Sequence, residues 1–177
     1  MFALVFSRRF SMAHRLLGPD VGKCDMPHGH NEVVSAHMEA ARPAALDGTH
    51  NMVAPFDVAK GDWHGWIDGH VDHALQLSAT DPLLEYFRAH EPEKLPRLII
   101  TPGDPTTEVM AACFTAKLNA ILLRADTGLV CRRLELTETP TNTVIFTGDP
   151  ADVLPEAQGR DGGTPWWMRA DTSTNDL

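Results

Sequence analysis

The sequence predicts an α+β fold in which a four-stranded antiparallel sheet carries two main helices on one face. The chain runs through two strand-like segments, then a region of helices, then two further strand-like segments. Segregated strands and helices of this kind are typical of α+β proteins. The 177 residues suffice for one domain with a substantial core. We expect that domain to span residues 1–150, followed by an irregular tail over residues 151–177 with a disordered end.

The first half of the sheet is predicted to be a long antiparallel hairpin with a wide connection. Residues 2–14 form the first strand, and residues 15–27 form a loop because they are rich in turn-forming glycine, proline and aspartate. The second strand runs from about residue 28 to residue 41. A sheet of four strands leaves exposed edges, so we expect oligomerisation through them.

The remaining elements are predicted from capping signals and apolar periodicity. The helices are expected at residues 55–67, 81–90 and 106–123. Proline at residue 55 suits a first helical turn, and apolar residues in the third helix recur at spacings of three and four. Further strands are expected at residues 96–102, 129–138 and 143–147, the first of them short.

The composition disfavours several classes of function. A net charge of −9 disfavours nucleic acid or an anionic membrane surface as a partner. No apolar run approaches the roughly 20 residues that cross a bilayer, and the first apolar residues precede the arginines, the reverse of a secretory signal. Cys24, Cys113 and Cys131 are odd in number and widely spaced, which favours a reducing, cytoplasmic location. Cys113 and Cys131 fall at apolar positions and are expected to be structural.

Three histidines and one cysteine lie close together early in the chain. His28 and His30 are two residues apart on a predicted strand, so their side chains share a face. His14, near the end of the preceding strand, completes a three-histidine set, which is how catalytic zinc is usually held. A His-X-His pair is more often a surface or core pair than a metal site, so the residues alone leave both interpretations open.

Other residues are candidates for proton transfer or ring binding. Cys24 is either a base or nucleophile with a lowered pKa, or a half-buried small hydrophobe. Asp72 and His73 form either a proton relay or a surface pair. Glu138 ends an apolar strand, where its carboxylate can accept hydrogen bonds from an N–H-rich ring. Glu108 alternatively satisfies a helix start.

With these residues in line, the chain resembles the 6-pyruvoyltetrahydropterin synthase and 6-carboxytetrahydropterin synthase family. The similarity covers roughly residues 2–147. The matching segments, in family order, are Phe10-Ser11-Met12-Ala13-His14, Cys24 with His28-Gly29-His30-Asn31, Gly48 with Asn51-Met52-Val53, Val71-Asp72-His73, Pro105-Thr106-Thr107-Glu108 and Thr137-Glu138-Thr139. Each segment alone is weak, but together they are highly specific.

The resemblance implies a fold, an assembly and a metal. The fold is the tunnelling fold, in which the sheets of several subunits join into a barrel. The usual assembly is a homohexamer with active sites at subunit interfaces. His14, His28 and His30 would bind Zn²⁺.

The resemblance also implies roles for the other candidates. Cys24 would be the general base, and Asp72 and His73, with Glu138, would relay the second proton. Glu138 would anchor the pterin ring. Further substrate contacts are expected from Thr106, Thr107 and Glu108.

The spacing between Cys24 and His28, with three residues between them, resembles the 6-carboxytetrahydropterin synthase branch of the queuosine pathway. The predicted enzyme is a lyase that converts 7,8-dihydroneopterin triphosphate to 6-carboxytetrahydropterin, acetaldehyde and triphosphate. The alternatives are 6-pyruvoyltetrahydropterin synthesis or a related side-chain cleavage, and a non-catalytic pterin- or metal-binding protein of the same fold.

The chain departs from the family pattern in three places. Pro55 stands where an acidic residue is usual before the first helix, extra residues lie between Leu77 and Pro105, and a tail follows the last strand. The extra residues and the tail could reshape substrate access or assembly. Arg15 and Lys23 are candidates for binding the triphosphate.

Overall fold

The computed structural model describes residues 2–42, 46–156, 159 and 162–177. Its strands are β1 (Ala3–His14), β2 (His28–Ala40), β3 (Ala74–Ser78), β4 (Leu98–Thr101), β5 (Leu129–Thr139) and β6 (Asn142–Thr147). Its α-helices are α1 (Phe56–Trp66), α2 (Leu83–His90) and α3 (Thr107–Arg124). The α+β class is confirmed. Within the described ranges, no helix has the length and hydropathy needed to cross a membrane.

The six strands form one mixed sheet in the order β4-β3-β1-β2-β5-β6. The antiparallel half, β1-β2-β5-β6, is the predicted four-stranded sheet. Two short strands extend it, because β3 pairs in parallel with the end of β1 and β4 pairs in parallel with β3. The expected total of four strands was therefore too low. β4 lies inside the predicted segment 96–102, whereas β3 was missed, since it is only five residues long and its polar residues Gln76 and Ser78 are buried.

The main core lies between the sheet and helices α1 and α3. Alternate residues of the long strands point toward the helices, and Phe10 of β1 meets Phe114 of α3 edge-to-face, with ring centroids 5.9 Å apart. Trp63 of α1 contacts the same phenylalanine with its ring centroid at 5.9 Å. The strand residues buried in this core are Phe6, Phe10, Met12, Val34, Ala36, Met38, Ala74, Ile99, Leu129, Cys131, Leu134 and Leu136.

Helix α3 is buried on nearly all sides, because the sheet covers one face and the carboxyl-terminal segment (residues 162–177) covers another. Trp166 of this segment is fully buried and lies over Trp66, with ring centroids 6.2 Å apart. Thr174 hydrogen-bonds to the main chain of β4, donating to Leu98 O at 2.8 Å and accepting from Ile100 N at 3.1 Å. The segment is mostly irregular and contains the short 3₁₀ turn Trp166–Met168. Its end was expected to be disordered, but it packs against the rest of the chain. Residues 157–158 and 160–161 of the predicted tail lie outside the described ranges.

Candidate metal centre and active site

Strand pairing brings the three predicted metal ligands together. In the β1–β2 ladder, His14 lies opposite His28 and Met12 lies opposite His30. The side chains of His14, His28 and His30 share the face of the sheet that carries the core. One nitrogen from each ring lies within 4.8 Å of the other two. Across the described residues, this is the one set of three His, Cys, Asp or Glu side chains that converges in this way.

The hydrogen bonds of two rings determine which nitrogens face inward as acceptors. His14 Nδ1 donates to Pro105 O at 3.1 Å, and His28 Nδ1 donates to Met26 O at 2.9 Å. Both protons are therefore on Nδ1, and the two Nε2 lone pairs face each other at 3.1 Å. Tetrahedral zinc, with Zn–N bonds of about 2.0–2.1 Å, separates ligand nitrogens by roughly 3.3 Å. The residues present therefore fit a zinc ion.

Burial supports the neutral state that a metal ligand needs. His14 is 4% exposed, and burial lowers the pKa of this imidazole below its usual value, because the charged form loses its hydration. A neutral histidine offers its lone pair without first releasing a proton.

Two carboxyl groups lie on the same side of the sheet. Glu138, near the end of β5, accepts a hydrogen bond from Thr107 Oγ1 at 3.0 Å. Glu32 follows His30 by two residues on β2, is 1% exposed, and its Oε2 has no hydrogen-bond partner among the described residues. Burial, followed by the charge of Glu138, raises the pKa of Glu32 to about 8. Glu32 was not among the predicted site residues, although it continues the two-residue period of His28 and His30.

Asp72 and His73 do form a contact, but on the surface. Asp72 Oδ2 lies 3.0 Å from His73 Nδ1, and Asp72 Oδ1 accepts from Ser11 N at 2.7 Å. The hydrogen bond from Ser11 lowers the pKa of Asp72. His73 has a left-handed backbone with φ +65° and a side chain that is 77% exposed. Among the described residues, no hydrogen bond or ion pair joins this pair to the three imidazoles.

Cys24 is the accessible thiol of the chain. It lies half-buried in the 3₁₀ turn Gly22–Asp25, and it is not one of the three converging ligands. Cys113 and Cys131 are buried. Burial raises the pKa of Cys131 to about 12, and that of Cys113 as well. These two thiols stay protonated and inert, in line with the structural role expected for them.

The predicted substrate-contact residues Thr106, Thr107 and Glu108 lie at the start of α3 and make different contacts. Thr107 reaches Glu138, as described above. Thr106 caps α3, because its hydroxyl accepts from Val109 N at 3.4 Å. Glu108 is exposed in the first turn of this helix, where a negative charge is favourable. Their roles toward a substrate stay predictions.

Arg15, a candidate for the triphosphate, is already paired within the chain. Its guanidinium donates to both carboxylate oxygens of Asp81, with Nε at 2.8 Å from Oδ2. The Arg15 side chain is 18% exposed and that of Asp81 is fully buried. Lys23 is exposed, so it is the better placed of the two cations for an incoming phosphate.

Comparisons with known proteins agree with this geometry. A family model described as 6-pyruvoyl tetrahydropterin synthase matches residues 3–149. A protein of Halobacterium salinarum named probable 6-carboxy-5,6,7,8-tetrahydropterin synthase is 30% identical over 135 residues, which cover 76% of this chain and 79% of that protein.

Solved structures share the fold at lower sequence identity. The match to an uncharacterized protein from Wolinella succinogenes has a TM-score of 0.64 at 20% identity. It covers 84% of this chain and 98% of that protein's chain. The 6-pyruvoyl tetrahydropterin synthase of Caenorhabditis elegans has a TM-score of 0.57 at 23% identity, with 84% and 96% covered. That of Plasmodium vivax has a TM-score of 0.59 at 15% identity, with 84% and 98% covered. The family model and the Halobacterium relative each span most of this chain, which therefore belongs to the 6-pyruvoyl tetrahydropterin synthase family of lyases.

Proposed function

We propose that the protein is a zinc-dependent lyase that converts 7,8-dihydroneopterin triphosphate to 6-carboxytetrahydropterin, acetaldehyde and triphosphate, with consumption of water. The observation that carries the proposal is the convergence of the imidazoles of His14, His28 and His30. Two of their Nε2 atoms are 3.1 Å apart with both lone pairs directed inward. A cation bound between these nitrogens would satisfy both lone pairs, and Glu138 could then bind the substrate ring next to it.

The choice of the carboxy product has two supports. Three residues separate Cys24 from His28, a spacing that resembles the branch making 6-carboxytetrahydropterin. The Halobacterium relative carries the name of that activity. The solved pyruvoyl synthases, at 15% and 23% identity, support only the fold.

Ring binding and the two proton transfers are assigned to different residues of this chain. Glu138, held by Thr107, accepts hydrogen bonds from the amino-pyrimidine edge of the pterin and fixes the ring. Cys24 removes a proton from the side chain of the substrate. Asp72 fixes the tautomer of His73, which returns a proton on the opposite face. When bound, zinc polarises the side-chain oxygens and stabilises the negative charge that proton removal creates.

The exposed position of His73 favours an active site shared between copies of the chain. Its side chain is 77% exposed and makes no contact with the imidazole set of its own chain among the described residues. Residues 3–10 of β1 pair with β2 on one side and have no strand on the other within the described ranges, and β6 ends the sheet order. These edges can join neighbouring sheets. We propose a homohexamer in which His73 serves the site of a neighbouring subunit.

The decisive experiment identifies the product by mass spectrometry after incubation of the zinc-loaded protein with 7,8-dihydroneopterin triphosphate. We expect 6-carboxytetrahydropterin and acetaldehyde from the wild type. Cys24→Ala should turn over at least about 100-fold more slowly, since a positioned acid–base group contributes about 10²–10⁴-fold. Its zinc content should equal that of the wild type, because Cys24 is not a ligand.

Three other results would contradict the proposal. Formation of 6-pyruvoyltetrahydropterin would assign the other branch of the family. Binding of the pterin without turnover would indicate a non-catalytic protein. Wild-type turnover by Cys24→Ala would remove Cys24 as the base.

A further inference from the structure

The segment that carries Cys24 has little structure of its own. This cysteine loop, residues 15–27, contains one 3₁₀ turn, Gly22–Asp25. Two main-chain hydrogen bonds hold Cys24 inside it, because Leu16 N donates to Cys24 O at 2.8 Å and Cys24 N donates to Val21 O at 3.1 Å. A loop of this kind needs outside contacts to hold a side chain in place.

Asp104 supplies such a contact. Leu17 N donates to both carboxylate oxygens of Asp104 at 2.9 Å, and Gly18 N donates to Oδ2 at 2.7 Å. A Cβ at position 18 would lie 3.1 Å from that oxygen, so glycine allows the close approach. Hydrogen bonds from main-chain N–H groups to a carboxylate are charge-assisted and therefore strong.

Asp81 fixes the start of the same loop. Its buried carboxylate holds the Arg15 guanidinium at two points, and its Oδ1 also accepts from Leu83 N at 2.8 Å. Arg15 follows the metal ligand His14 directly. The carboxylate thus connects the first residue of the cysteine loop to the beginning of α2.

Asp104 also stands next to the groups that orient the metal centre. The next residue, Pro105, provides the carbonyl that accepts the His14 Nδ1 proton. Two residues later, Thr107 hydrogen-bonds to Glu138. One short stretch of chain therefore contacts the cysteine loop, a metal ligand and the predicted ring anchor.

We propose that Asp104, assisted by Asp81, is a positioning residue that holds the cysteine loop so that Cys24 is aligned with the three imidazoles. The extra residues between Leu77 and Pro105 thereby acquire a role, because they carry both carboxylates. The proposal rests on the proposed function in one respect only, that Cys24 is the base. The hold on the loop itself does not depend on which reaction is catalysed.

The first test measures the order of the loop without any substrate. Trypsin can cut after the exposed Lys23 only when the loop opens. In Asp104→Ala, loss of these charge-assisted hydrogen bonds should speed this cut about tenfold or more. The matched control is Asp62→Ala, which removes an exposed carboxylate 3.6 Å from Arg124 and should be cut at the wild-type rate. Asp104→Asn keeps one acceptor and should fall in between.

The second test separates positioning from folding. We expect Asp104→Ala to retain its zinc and its urea midpoint within the range of the control, while kcat falls roughly 10- to 100-fold and KM changes little. If Asp104→Ala does not fold, Asp104→Asn decides with the same readouts.

The outcomes distinguish the two proposals. Cutting of Asp104→Ala at the control rate, or an unchanged kcat despite faster cutting, would overturn the positioning role. A wild type with no lyase activity would overturn the proposed function, and the proteolysis rates would still decide whether Asp104 holds the loop.

Discussion

Two polar centres, one fully buried around Lys117 and one partly buried around the three imidazoles, differ in whether the chain supplies hydrogen-bond partners for their polar atoms. Lys117 of α3 is fully buried. Its Nζ donates to Trp166 O at 3.2 Å, Ser173 O at 3.0 Å and Asp171 Oδ1 at 3.3 Å. The ammonium group also lies 5.5 Å from the ring centroid of Trp66. All three of its donors are used.

The candidate metal centre differs, because some of its polar atoms have no hydrogen-bond partner among the described residues. Two Nε2 lone pairs face each other there, and Glu32 Oε2 has no partner among the described residues. A buried polar group without a partner costs free energy, so proteins seldom keep one without a reason. Lys117 thus has its partners within the chain, whereas the converging imidazoles leave lone pairs that a bound ligand could satisfy.

The largest effect should come from removing a predicted ligand of the candidate metal centre. His28→Ala should lower zinc affinity by more than about 100-fold, because even partners of metal ligands are typically worth 10–100-fold. Metal analysis after gel filtration should find about one zinc per wild-type chain and almost none in the variant. His50→Ala is the control, since His50 is exposed and contacts only Asp47. A variant that keeps its zinc would show that the centre is not a metal site.

Near Lys117, removing an aromatic side chain should lower the free energy of unfolding and leave the metal content unchanged. Trp166→Ala should lower the free energy of unfolding by about 3–5 kcal/mol. Urea denaturation measures this, with Met168→Ala as the control because Met168 is 56% exposed. A loss below about 1 kcal/mol would mean that the carboxyl-terminal segment contributes little to the core.

The charge of Lys117 should make stability depend on pH. Burial lowers the pKa of Lys117 from 10.5 to about 8, only partly opposed by Asp171. Between these values the unfolded state binds more protons than the folded state, so stability from this group rises as pH increases from 8 to 10.5. The unfolding free energy of the wild type relative to Lys117→Met should rise across this window by up to about 3 kcal/mol. A difference independent of pH would mean that the ammonium group is well solvated.

The smallest effect should come from an exposed charge pair. Arg8 and Asp68 form a bidentate contact, but their side chains are 43% and 47% exposed. Asp68→Asn should therefore change the free energy of unfolding by less than about 1 kcal/mol, and less still in high salt. A loss as large as that of Trp166→Ala would mean that this exposed ion pair stabilises the fold as much as a buried aromatic side chain does.

Local signals in the sequence sufficed for much of the fold. The two long helices and the four antiparallel strands were predicted within a few residues, because periodicity and caps are read from neighbouring positions. β3 was not predicted, since it has only five residues and buries the polar residues Gln76 and Ser78. The burial of Trp166 was also missed, because its partners Trp66 and Lys117 are distant in the chain and lie in other elements.

The candidate site was partly predictable for the same reason. His28 and His30 reveal their common face by spacing alone, and pairing with the preceding strand places His14 beside them. Glu32 has the same spacing, but a sequence does not show whether a strand carboxylate will find a partner. The hold of Asp81 on Arg15 was likewise invisible, since 66 residues separate the two.

The open edges of the sheet have a consequence for assembly. Among the residues that the structure describes, one belongs to the amino-terminal part of β1 and the other to β6, whereas the main chain of β4 is partly engaged by Thr174 of the same chain. A junction between β1 of one copy and β6 of the next is head-to-tail and not self-complementary. Such junctions either close into a ring or continue as a filament. In a ring closed by such junctions, the angle between successive copies would set their number, and a substitution that changes that angle would favour an open-ended polymer.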